Sequence, residues 1–187
     1  MSIVILFYKF IYIKEPEKLA KLHKEICSSL GILGRMIIAE EGINATFEGS
    51  YEAIEKYKTF LKSDARFANI LIKESTGNGK AFTKLKIKVR DEVVALEAGS
   101  FDIEKETARE LSANELAKWY ENNEDFVVLD LRNDYEIASG KFEKTIDPGL
   151  ANFRDLPSKL KELENLKDKK VVAVCTGGIR CEKATCL

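Results

Sequence analysis

Val171-Val-Ala-Val-Cys175-Thr-Gly-Gly-Ile-Arg180-Cys181-Glu-Lys-Ala184 is the stretch that decides the architecture. Its four opening residues, three of them β-branched, predict a buried strand. A cysteine, two glycines and an arginine follow, and the residues after Arg180 begin a helix. Glycines let the backbone curl until several N–H groups converge on one point, and a helix N-terminus adds partial positive charge there. The sulfur of Cys175 lies at that point with Arg180 close by, so the loop favours a thiolate or a bound anion over a neutral thiol. The plain alternative is an inert core cysteine followed by an ordinary turn. The order strand, cysteine, paired glycines, arginine, helix argues against it.

The elements upstream of this loop fit the same pattern. Residues 126–131 read as a second buried strand, and a turn or short helix carries Asp134-Tyr135-Glu136. Leu160, Leu163 and Leu166 mark a helix preceded by Pro157, and Ser112-Ala-Asn-Glu115 is a capping box that opens another. Strands alternating with helices predict a parallel α/β domain. Residues 97–109 are charged and lack apolar periodicity, which reads as a linker. At the N-terminus, residues 3–13 form a strand, and Pro16 opens a helix with Leu19, Leu22, Ile26 and Leu30 on one face. Residues 35–39 and 44–48 are strands around Glu40-Glu41-Gly42. A helix follows over Tyr51–Ser63 with Ile54, Tyr57, Phe60 and Leu61 inward, then strands at 68–73 and 82–90. The order β-α-β-β-α-β predicts an α+β ferredoxin-like domain with its helices on one sheet face. The expected division is a ferredoxin-like domain at 1–97, a linker at 98–111 and an α/β domain at 112–187.

The formal net charge of −1 gives no global case for nucleic-acid binding. The charge is uneven, with a cationic excess in the N-terminal half. Between Thr83 and Arg90, Leu85, Ile87 and Val89 point one way while Lys84, Lys86, Lys88 and Arg90 point the other. That cationic row is either a solvated outer face or a track for a phosphate backbone. The apolar opening at 3–13 is interrupted by Lys9, is too short to span a bilayer and lacks a basic leader or cleavage site, so the expected compartment is the cytoplasm, with no membrane partner. Four cysteines in 187 residues are no disulfide framework. Cys175, Cys181 and Cys186, with a single histidine in the chain, lack the paired knuckles of a structural zinc site. No metal site or nucleotide-binding fingerprint is evident. His23 reads as a surface or half-buried residue of the first helix rather than a base for Cys175.

Asp130-Leu-Arg132 after one strand, Glu136 shortly after, and Cys175-Thr-Gly-Gly-Ile-Arg180 after another resemble a rhodanese domain, in which the cysteine receives sulfane sulfur as a persulfide. Four residues separate Cys175 from Arg180; the similar loop of protein tyrosine phosphatases has five, a larger cradle suited to phosphate. The likeness extends to Phe7-Tyr-Lys-Phe10, Ile38-Ala-Glu-Glu-Gly-Ile-Asn-Ala-Thr46, Phe82-Thr-Lys-Leu-Lys-Ile-Lys-Val-Arg90 with Glu92-Val-Val94, Asp130-Leu-Arg-Asn-Asp-Tyr-Glu136 and Phe153-Arg-Asp-Leu-Pro157. With these blocks the chain resembles the bacterial rhodanese-domain tRNA uridine hydroxylases, which convert the wobble uridine of certain tRNAs to 5-hydroxyuridine with molecular oxygen.

That resemblance implies tRNA as partner, oxygen as co-substrate and a rhodanese-like second domain. It implies Cys175 as the persulfide-forming cysteine, with Thr176, Gly177 and Gly178 as its loop and Arg180 closing it. Cys181 is the family's second cysteine, either a resolving thiol or a packed helix residue. Asp130 and Arg132 are expected to support the loop, and Lys84, Lys86, Lys88 and Arg90 to meet tRNA. Glu40, Glu41 and Asn44 carry no assigned role. Family members continue past residue 187 with a further strand and helix, so the expectation is an incomplete, C-terminally truncated second domain. The leading reading is a tRNA uridine hydroxylase. The alternatives are a persulfide-carrying sulfurtransferase and an inactive truncated fragment that still binds tRNA. Oligomeric state is undetermined.

Overall fold

The computed structural model describes residues 1–187. The chain divides into two units, Met1–Val93 and Val94–Leu187. No helix is long and apolar enough to cross a membrane.

The first unit runs β1 (Ser2–Phe10), α1 (Pro16–Ser29), β2 (Leu33–Ala39), β3 (Gly42–Ser50), α2 (Tyr51–Ser63), β4 (Ile72–Gly77) and β5 (Leu85–Val89). The strands form one sheet in the order β4-β1-β3-β2-β5. β1 pairs antiparallel with β3 and β4, β2 antiparallel with β3, and β5 parallel with β2. This is the ferredoxin-like arrangement with a fifth strand added at one edge. Alternation sends Ile5 and Phe7 of β1, Met36 and Ile38 of β2, and Ile43, Ala45 and Phe47 of β3 into the core with Ile54, Tyr57 and Leu61 of α2. At the β2–β3 turn, Gly42 has φ 150°, and a Cβ there would lie 2.1 Å from the Lys9 carbonyl oxygen. Only glycine lets the strands approach so closely. The strand expected at 68–73 starts at Ile72. Before it, Asp64 caps a short 3-10 turn by accepting the Arg66 N–H at 2.9 Å, and that turn buries Phe67.

The first helix corrects the sequence reading. Its buried residues are Pro16, Leu19, His23 and Cys27, while Leu22 is 45% exposed. His23 is 1% exposed, not a surface or half-buried residue. Its Nδ1 lies 2.8 Å from the Tyr57 hydroxyl, and its ring packs edge-on against Tyr57 and Phe60. A partnered imidazole tolerates burial, so it takes the inward place that composition alone would give to leucine. Burial lowers the His23 pKa to about 4 and raises that of Cys27 to about 12.

The second unit runs α3 (Ile103–Glu106), α4 (Ala113–Glu121), β6 (Val127–Asp130), α5 (Asp134–Ile137), β7 (Thr145–Ile146), α6 (Leu156–Lys159), β8 (Val171–Val174) and α7 (Ile179–Ala184). Its three strands form a parallel sheet in the order β7-β6-β8. The expected capping box at Ser112 and Glu115 opens α4. Leu96, Leu131, Leu150, Phe153 and Leu156 make the core, with Val94, Ala98 and Phe101 packed against it. The division therefore falls after Val93 rather than Glu97. Alternating apolar residues at 94, 96 and 98 draw this segment into the second core, and the stretch expected as a linker contains α3, with Ile103 buried. Residues 160–166 wind as a 3-10 helix, for which leucines spaced exactly every third residue are suited.

Because the unfolded chain protonates His23 near 6.5 and the folded core resists until about 4, the stability it confers is present above pH 6.5 and lost as pH falls toward 4. Between those values the first unit should lose about 3 kcal/mol. Urea unfolding followed by far-ultraviolet circular dichroism at pH 7 and 4.5 checks this: His23→Gln should flatten much of the difference.

Candidate functional site

The parallel sheet delivers Cys175 from the end of β8, and the chain then turns through Thr176 and Gly177 to Gly178. Gly178 adopts φ 103°, a conformation suited to glycine, and precedes α7. The Gly178 N–H donates to the Cys175 sulfur at 3.0 Å. The Cys175 pKa falls to about 5. The hydrogen bond from the Cys181 thiol is the largest cause; burial opposes it, and the backbone N–H groups of Cys181, Gly178 and Gly177 add to it. Cys181 is pushed up by the same contact and by burial, so of the two sulfurs Cys175 is the thiolate and Cys181 the thiol that donates to it.

Arg180 closes the loop by pairing with Glu136. Its Nη1 and Nη2 each donate to one carboxylate oxygen at 2.8 Å, and Nη2 also donates to the Thr176 hydroxyl at 3.1 Å. The Thr176 hydroxyl in turn donates to Glu136. A planar fork on a carboxylate fixes direction as well as charge. The hydrogen bonds from Arg180 hold the Glu136 pKa down at about 2 against burial, helped by Thr176 and the Asn133 N–H. The Arg180 pKa is raised: burial opposes the shift, and Glu136 and the charge on Cys175 outweigh it.

Thus Cys175, Thr176, Gly177, Gly178, Arg180 and Cys181 come together. Asp130 and Arg132 stand one step back. Asp130 is fully buried and accepts from Arg132 Nε at 2.9 Å and Nη2 at 2.7 Å. Arg132 also donates to the carbonyls of Glu136 and Gly140. This pair steadies α5, and α5 presents Glu136 to the loop. Glu136 is therefore the direct brace, through a pairing across 44 residues that its local motif does not reveal.

On the first unit, Lys84, Lys86, Lys88 and Arg90 are all exposed. Only Lys86 and Lys88 lie in β5 on the sheet face opposite the helices; Lys84 precedes the strand and Arg90 follows it, because the strand expected over 82–90 is shorter. Arg35 of β2 is exposed on that face and lies level with Lys86 in the parallel register. Repulsion from Lys84, then partial burial, then Arg35 and Lys88 lowers the Lys86 pKa, a sign of concentrated positive potential. One cation at the start of an apolar strand gives no local signal that it meets the β5 lysines; only the parallel pairing reveals it. Glu41 and Asn44 also gain a role: Glu41 accepts the Val93 N–H at 2.7 Å, and Asn44 Nδ2 donates to the Val93 carbonyl at 3.2 Å. Together they bracket the last residue of the unit. Glu40 supplies its carbonyl to the Ile13 N–H at 2.8 Å.

Comparison with known proteins agrees with this division. The family profile described as "UPF0176 acylphosphatase like domain" matches residues 2–93. The tRNA uridine(34) hydroxylase of Onion yellows phytoplasma is 42% identical over 183 residues, which cover 97% of this chain and 59% of that protein. The protein of the same name from Staphylococcus saprophyticus is 44% identical, covering 96% of this chain and 57% of its own. The chain thus spans less than three fifths of the length of these relatives. Among solved structures, the dark state of the BLUF protein BlrB overlaps 49% of this chain and 75% of its own at 17% identity and a TM-score of 0.41, too little to bear on this chain.

Replacing Glu136 by Gln should lower the stability of the second unit at pH 7 by about 1–3 kcal/mol, since it strips the partner from a largely buried arginine. The single tryptophan, Trp119, reports on that unit alone through its fluorescence in urea. The carboxylate's contribution is complete above its ordinary value of 4.5 and is lost toward about 2, so the gap between variant and wild type should close over that range.

Proposed function

As the chain belongs to the tRNA uridine(34) hydroxylase family, we propose that it forms part of an enzyme that hydroxylates uridine 34 of tRNA, with Cys175 as its reactive sulfur. The observation that carries this reading is the cradle itself. The Cys181 S–H and the N–H groups of Gly177, Gly178 and Cys181 all converge on the Cys175 sulfur and keep it anionic. Such a group acts at neutral pH without a histidine, and His23 is buried in the first unit's core, paired with Tyr57.

The expected reaction puts one atom of molecular oxygen into the C5–H bond of the wobble uridine; the other atom leaves as water, its two electrons and two protons coming from a dithiol reductant that ends as a disulfide. Substrate binding falls to the cationic face, where Lys84, Lys86, Lys88, Arg90 and Arg35 neutralise phosphates of the tRNA backbone. In the rhodanese-like role of the loop, the Cys175 thiolate attacks the sulfane sulfur of a donor such as thiosulfate, forming the Cys175 persulfide and releasing sulfite. The four-residue span between Cys175 and Arg180 suits a terminal sulfur anion better than a phosphate. Attack by Cys181 on the inner sulfur of that persulfide would release hydrosulfide and leave a Cys175–Cys181 disulfide.

The same cradle supports a second reading, plain sulfur transfer, in which cyanide takes the outer sulfur as thiocyanate and returns the Cys175 thiolate. Nucleoside mass spectrometry separates the two. In a strain lacking the hydroxylase gene, a full-length family protein should restore 5-hydroxyuridine derivatives, and the Cys175→Ser equivalent should not. Restoration by the serine variant would defeat the assignment of Cys175. Thiocyanate formation without any restoration of the modified nucleoside would favour sulfur transfer. For tRNA binding, replacing Arg35, Lys86 and Lys88 by alanine should weaken affinity and reduce the salt slope by roughly 0.7–0.9 per lost phosphate contact. An unchanged slope would exclude this face.

A further inference from the structure

Four polar or charged side chains are buried: His23, Glu48, Asp130 and Lys183. His23 is paired with Tyr57 and Asp130 with Arg132, and Glu48 accepts the N–H groups of Gly79 and Ala81 at 2.7 and 2.8 Å, fixing the loop before β5. Lys183 is the one for which the chemistry above has no use. It is 1% exposed, lies on α7 three residues after Arg180, and donates from Nζ to the Val94 carbonyl at 3.3 Å.

Helix α7 has six residues, too few to hold itself in place. Its N-terminal end must nevertheless keep the N–H groups around Cys175 in register, because a hydrogen bond to sulfur weakens steeply with direction and distance. The helix is held instead by tertiary contacts. Ile179 is buried, and just beyond the last turn the Thr185 hydroxyl accepts the Ala108 N–H at 3.1 Å and lies 3.2 Å from the Thr107 hydroxyl. Lys183 adds a tether from the last turn of the helix. An aliphatic side chain would fill the same space without the penalty of burying an ammonium. What lysine supplies and leucine cannot is a directional bond to a main-chain carbonyl.

We propose that Lys183 is a positioning residue for the Cys175 loop: its buried ammonium, bound to the Val94 carbonyl, fixes α7 so that the N–H groups at the helix start stay aimed at the sulfur. The inference rests on the cradle around Cys175 and on no particular reaction of that sulfur. Lys183→Met keeps the length and the burial but removes the donor; Lys183→Arg keeps a cationic donor. The test follows iodoacetamide alkylation of Cys175 against pH, located by peptide mass spectrometry, together with hydrogen exchange of the α7 amides. In the Met variant the alkylation midpoint should rise by about one unit or more, a tenfold loss of thiolate at low pH, and α7 should exchange faster. Arg should recover part of both. No change in either readout overturns the proposal. A shifted midpoint with unchanged exchange also overturns it, since the ammonium would then act on the sulfur by charge alone. If the Met variant does not fold, the wild type decides. In sub-denaturing urea, acetylation of Lys183 and the rise of the Cys175 midpoint should begin together, and either one beginning without the other contradicts the tether. An ordinary midpoint in the wild type would defeat the thiolate reading of Cys175, while the exchange data would still decide the role of Lys183.

Discussion

Two cysteines of this chain show what the cradle does. Cys27 is buried among apolar side chains, and burial alone pushes its thiol up to about 12. Cys175 is also largely enclosed, yet it sits near 5. Hydrogen bonds account for the difference: the Cys181 S–H and three backbone N–H groups point at the second sulfur, and burial opposes them without prevailing. Everything around the loop serves that arrangement. Gly178 takes the backbone conformation that aims its own N–H at the sulfur. Arg180 and Glu136 lock the far side of the loop, and Asp130 with Arg132 steadies the short helix that carries Glu136.

The first unit answers to a different constraint. Its helices lie on one face of a five-stranded sheet, so the strands alternate between an apolar set and a set facing away from the helices. On β5 the outer set is cationic, and the parallel pairing with β2 brings Arg35 level with Lys86. Facing away from the helices keeps these side chains exposed, where they can attract a polyanion over a distance. The cationic face and the anionic sulfur both depend on positive local potential, supplied by side chains in one case and by backbone dipoles in the other. The chain builds them in separate units, each with its own core.

Much of this was legible in the sequence wherever one local rule dominated. The alternation at 84–90, the capping box at Ser112 and Glu115, and the glycine-rich turn after Cys175 each state their geometry in a few residues. Reading failed where a tertiary partner overruled local pattern. His23 looked like a surface residue because nothing nearby in sequence reveals Tyr57 as its partner 34 positions away. Leu22 looked inward because an apolar stripe does not show that histidine and cysteine will take the buried face. The boundary moved from 97 to 93 because Leu96 packs against Leu131 and Leu150, residues far along the chain. Glu136 was legible as a motif member but not as the brace of Arg180, since pairing across 44 residues is a property of the fold.

On this arrangement the sulfur of Cys175 is ionised by the dipoles around it. Thiolate absorbance near 240 nm, titrated in the native protein and corrected with Cys175→Ser, measures that ionisation without a chemical probe. The expected midpoint lies near 5 and disappears in the serine variant. A midpoint of about 8.5, the ordinary range of a free cysteine, would contradict it.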